Sequence, residues 1–168
     1  MRDLARLGAA LCAVLVLLRD HAIAPGTPAL WQATYLCAAV VVAGLSLFRD
    51  GFATASGVAL GGHYLLALNY GDVTADLGAP IVAGLVVLHL DLLDLALSVP
   101  RERAIDPAFL RSRLRHAAFV FGLGVVAGSV AVLVATVDWP SSTLTRAIGV
   151  AGVALAVVIP LGMLRARR

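Results

Sequence analysis

Apolar runs of roughly twenty residues recur along this chain, broken by short stretches of Pro, Gly, Asp and Arg, and that spacing decides what it can fold into. A hydrocarbon core about 30 Å thick needs roughly 20 apolar residues per crossing helix. The helix is required because each backbone N–H and C=O must find its partner within the segment. Six runs meet the length, at about 4–23, 29–48, 52–70, 79–99, 117–137 and 144–164. The predicted fold is all-α, a polytopic integral membrane protein with one domain over residues 1–168 and a bundle of six transmembrane helices. Pro25-Gly26-Thr27-Pro28, Arg49-Asp50-Gly51, Gly71-Asp72, Pro100 and Trp139-Pro140-Ser141 supply turn and cap chemistry between the runs. Thr27 before Pro28 reads as an N-cap followed by a first-turn proline.

Composition excludes an ordinary soluble domain: 61% of the 168 residues are hydrophobic and only 14% are charged. The mean hydropathy is +0.95. The first run, with Arg2 and Arg6 before it and Ala22-Ile23-Ala24 after it, imitates a secretory leader. Pro25 disfavours cleavage there, so the run is read as a retained helix. Cys12 and Cys37 both fall inside apolar runs and form no metal-binding or disulfide spacing.

Arginine sets the expected orientation. The chain has no lysine, and placing the N-terminus in the cytoplasm puts eleven of its thirteen arginines inside, with only Arg19 and Arg146 outside. Both termini are then cytoplasmic. Trp31, Tyr70 and Trp139 fall at the outer interface, where amphipathic rings prefer to sit. The all-arginine usage and the abundance of Ala, Gly, Val and Leu suggest a GC-rich bacterial coding bias, so a multi-pass protein of the bacterial cell membrane is expected.

Asp91 and Asp94 break the fourth run one helical turn apart. A carboxylate near mid-membrane costs on the order of 3 kcal/mol by insertion scales, so it faces protein or water rather than lipid. Ser98 continues the same face, while His89 projects from another side. His63 and Tyr64 lie in the third run, which the short link makes an antiparallel neighbour of the fourth. These six residues form the candidate intramembrane polar site, as a proton or cation site or as a contact with a partner. His63 also reads as interhelical hydrogen-bonding glue. No HExxH or comparable spacing indicates a metal, and no cofactor is expected. Asp91-Leu92-Leu93-Asp94 resembles the DxxD element of magnesium-dependent membrane prenyltransferases in those four residues alone. The flanking asparagine and second acidic motif of that family are missing, and no enzymatic role is carried over.

Arg101, Arg103, Arg111, Arg113 and Arg115 cluster in the longest connection, where they suit anionic headgroups or a cytoplasmic partner. Asp106-Pro107 reads as the opening of a helix that runs into the fifth segment. Gly57-Gly61 and Gly124-Gly128 form GxxxG pairs suited to close packing within the bundle. Pro160 is placed to kink the last helix. Nucleic-acid binding is not expected, because no soluble basic surface with stacking aromatics is present.

Two functions follow. The favoured one is a non-enzymatic subunit or scaffold of a larger membrane complex, or a homo-oligomer, in which the acids meet a partner. The other is a small proton- or cation-coupled transporter with Asp91 as carrier.

Overall fold

The computed structural model describes residues 2–47, 50–73, 76–98 and 107–136. The described elements are α-helices: α1 Arg2–Ile23, α2 Pro28–Ser46, α3 Asp50–Tyr70, α4 Ala79–Ser98 and α5 Pro107–Thr136. The run at 144–164, along with Arg101 and Arg103, lies outside the described residues.

Four of these helices are long and apolar enough to cross a membrane, over Pro28–Ser46, Gly51–Tyr70, Ala79–Ser98 and Arg111–Leu133. The chain is therefore a membrane protein in its architecture. At 22 residues α1 has the length, but Arg6, Arg19 and Asp20 interrupt its apolar character. Its buried positions, Ala5, Ala9, Cys12, Ala13, Val16 and Asp20, recur at helical spacing and line one face. Leu4, Leu7, Leu11 and Leu18 cover the opposite side.

The α1–α2 connection is tight because Gly26 takes a left-handed backbone (φ 76°), which costs glycine nothing. Thr27 is extended and occupies the N-cap position, with Pro28 opening α2, but its hydroxyl makes no capping bond. Its carbonyl accepts the Leu30 and Trp31 N–H groups instead. Helix α5 begins at Pro107 and continues unbroken for 30 residues, so Arg111, Arg113 and Arg115 stand on the same rod as the apolar residues up to Thr136.

Helix α4 is central, packing on α1 and α5, with α3 bridging α1, α2 and α4. Small residues set the α4–α5 contact. A Cβ on Gly124 would stand 2.7 Å from the Gly84 Cα, and one on Gly128 would stand 2.6 Å from the Pro80 Cα. Neither distance is tolerable, so this GxxxG pair packs inside the chain. Gly57 meets the Leu90 side chain, whereas a Cβ on Gly61 would find open space. Val16 and Leu60, both fully buried, belong to the main core with Ala13, Cys37, Val41 and Val82.

Candidate functional site

Polar side chains gather at two levels inside this apolar bundle, separated along α1 by Ala13 and Val16 and along α3 by Leu60. The lower level is His89. Fully buried, it holds α4 to α1 and α3: Nδ1–H donates to the Ala9 carbonyl (2.8 Å), and Nε2 meets Ser56 Oγ (2.9 Å). The Ser56 hydroxyl also reaches the Ala53 carbonyl at 2.7 Å. Since a carbonyl only accepts, the Ala9 contact fixes the proton on Nδ1.

The upper level joins three helices. His63 Nδ1 lies 2.6 Å from Asp20 Oδ2, and His63 Nε2 lies 2.8 Å from Thr34 Oγ1. His21 Nε2 reaches the same hydroxyl at 2.9 Å. Asp20 is fully buried, and among the described residues its Oδ1 has no hydrogen-bond partner. The neighbours of this pair meet a second acid: Arg19, just before Asp20, and the Tyr64 hydroxyl (2.9 Å), just after His63, both bind Asp76 in the α3–α4 connection. The Gly78 N–H donates to Asp76 at 2.9 Å, curling the connection around the carboxylate. On the outer flank the His21 ring lies against Trp31, with centroids 4.0 Å apart.

Counting protons shows what this level holds. Thr34 Oγ1 has one proton and two lone pairs, and it donates to the Leu30 carbonyl at 2.8 Å. Both imidazole Nε2 atoms therefore donate to it. With Nε2–H committed, the short Asp20–His63 contact holds one further proton, owned by either the carboxyl or the imidazole. The order carboxylate, imidazole, hydroxyl matches a nucleophilic triad. Here, however, the hydroxyl gives its proton to a carbonyl. Thr34 also sits inside α2, where neighbouring N–H groups are used in the helix ladder and cannot cradle an oxyanion.

His63 also forms part of an apolar groove of about 210 Å³ between α2 and α3, whose walls include Leu36, Val40, Ala59, Gly62 and Leu66. The proton-bearing ring thus borders a space open to the outside of the bundle.

The residues singled out in the sequence disperse. Asp91 is buried, and its Oδ1 pairs with His116 Nε2 of α5 at 3.0 Å. Asp94 is half-buried, and the exposed Ser98 hydroxyl donates to the Asp94 backbone carbonyl (2.7 Å), so it serves its own helix. His63 and Tyr64 join Asp20 and Asp76, whereas His89 stands apart from both groups. Arg111 and Arg115 are exposed, and Arg113 covers the Phe109 ring (5.8 Å to the centroid).

Sequence reasoning passed over Asp20, His21, Thr34, Ser56, Asp76 and His116. Asp20 and His21 looked like charges ending a run. Their signal was a polar dipeptide inside or at the end of each of two apolar runs, Asp20-His21 and His63-Tyr64. Among the described residues no three His, Cys, Asp or Glu side chains gather to hold a metal ion. No protein-family model, curated protein or solved structure matches the chain.

Proposed function

We propose that this chain is a small proton-coupled membrane transporter, and that the Asp20–His63 pair is its proton carrier. The observation that carries the reading is the fully buried Asp20–His63 contact of 2.6 Å, backed by Thr34, which His63 and His21 both meet at 2.8 and 2.9 Å. A buried carboxylate sharing one proton with an imidazole is a recurrent element of intramembrane proton relays. In the proposed topology the chain has six spans with both termini cytoplasmic, as the arginine distribution favours. Asp20 and His63 then lie toward the outer face, and Asp91 toward the inner. Asp76 closes the site outward through Arg19 and Tyr64, and the Leu60–Val16 layer closes it inward. Alternating release of these two barriers would move the proton across, in step with a solute.

The test is reconstitution into proteoliposomes with a pH-sensitive dye inside and an imposed pH gradient. Wild-type protein should dissipate the gradient, alone or on adding members of a solute panel, and Asp20→Asn should not. Dissipation equal to that of empty liposomes across the panel would sink the proposal.

A second reading, a subunit of a larger membrane complex, is favoured by α5. Phe119, Leu123, Val126, Val130 and Leu133 are all strongly exposed and alternate by four and three, the spacing of a seam that packs against another helix. A co-purifying protein in gentle detergent, with no flux from the purified chain, would select it.

A further inference from the structure

The pairs Gly84–Gly124, Pro80–Gly128 and Asp91–His116 run in opposite directions along α4 and α5, each step forward on one helix matched by a step back on the other. The two helices are antiparallel and locked in register. At about 1.5 Å per residue, Arg113 stands level with Asp94, and Phe109 with Ser98, where the described part of α4 ends. The three arginines therefore occupy the last turns of the bundle at this membrane face. They cannot leave their guanidinium groups in hydrocarbon, and their stems are long enough to carry those groups outward to the headgroups. Arg111 and Arg115 are four residues apart on an exposed side, with the exposed Phe119 one turn further along that face and the exposed Leu114 beside it. Cations interleaved with apolar side chains at headgroup depth match an amphiphile with a negative head.

We propose that Arg111 and Arg115, which share one face of α5, form a binding site for the phosphate of an anionic phospholipid. Fork-shaped guanidinium groups bind phosphate oxygens in pairs. The phosphate sits at the headgroup plane while the acyl chains lie along Leu114 and Phe119. The Asp91–His116 bond sets the depth of the site by fixing how far α5 protrudes beyond α4. This site is separate from the proton pair and stands whether or not that proposal holds.

The test uses the full chain in mixed micelles containing equal phosphatidylglycerol and phosphatidylcholine, with native mass spectrometry counting retained lipids. Wild-type protein should keep phosphatidylglycerol in several-fold excess. Arg111→Gln/Arg115→Gln should lose that excess, while the corresponding double lysine variant and the single Arg113→Gln variant, whose side chain lies over Phe109, should keep most of it. Equal retention of both lipids by the wild type, or unchanged preference in the double glutamine variant, overturns the proposal. So does an acidic protein that co-purifies through these arginines in place of lipid. If the double glutamine variant does not purify, salt decides: preference in the wild type should fall steeply between low and high ionic strength, and a salt-independent preference overturns the site.

Discussion

His63 and Asp20 share a proton across 2.6 Å in the interior of the bundle, and the adjacent residues on the same two helices, Tyr64 and Arg19, converge on Asp76 just beyond them. Arg19 precedes Asp20 on α1 and Tyr64 follows His63 on α3, so Asp76 is reached from both helices by long side chains that flank the pair. Opening the α3–α4 connection would release Arg19 and Tyr64 directly above the proton pair.

Asp20→Asn and Asp20→Ala should therefore separate. The asparagine amide can donate to the His63 Nδ1 lone pair, so the fold should survive with a small loss of stability while the transferable proton is gone. The alanine variant removes one partner of a buried pair and should cost about 3–5 kcal/mol. Thermal unfolding in detergent, with proteoliposome flux on the asparagine variant, checks both. Wild-type flux from Asp20→Asn would end the carrier assignment.

Asp91→Asn distinguishes the acid chosen from the sequence from the one chosen from the structure. An amide can still bond His116 and hold α5 against α4. Flux should stay within a few fold of wild type, in contrast to Asp20→Asn. If Asp91→Asn abolishes flux while Asp20→Asn retains it, the carrier is Asp91.

His89 bonds the Ala9 carbonyl and Ser56, and among the described residues none of these contacts reaches Asp20 or His63. His89→Ala removes a fully buried side chain and its bonds to the Ala9 carbonyl and Ser56, each lost hydrogen bond costing about 0.5–1.5 kcal/mol. The variant should melt well below wild type, while any protein that remains folded should transport at the wild-type rate per molecule. A proportional loss of both would place His89 in the pathway.

The glycines offer a test of packing. Gly124→Val forces a branched side chain against the Gly84 backbone and should destabilise the α4–α5 contact, read as faster hydrogen exchange along α5. Gly61→Ala meets open space and should be neutral or add up to about 1 kcal/mol through helix propensity. Comparable destabilisation by both would contradict the register of α4 against α5.

The apolar runs were sufficient to mark out helical, membrane-crossing segments, because length and hydropathy act locally and need no knowledge of neighbours. Pro107 could likewise be recognised as a helix start from its fixed φ. Helix α1 shows where that logic thins. Asp20 lies one turn from the helix end, and in one dimension a buried acid there looks the same as a solvated end charge. Asp91 and Asp94 stood out for the opposite reason, being surrounded by leucines, yet Asp91 bonds to a histidine 25 residues away and Ser98 turns to its own backbone.

By itself, then, the sequence determined the medium and the rods: a membrane, helices long enough to cross it, and small residues where rods can touch. Which polar groups meet was decided by tertiary structure alone. Hydrogen bonds act over about 3 Å, and the rotation and register of one helix against another depend on every side chain between them. A rotation of α1 by one residue would take Asp20 away from His63 without altering a single feature of the hydropathy pattern.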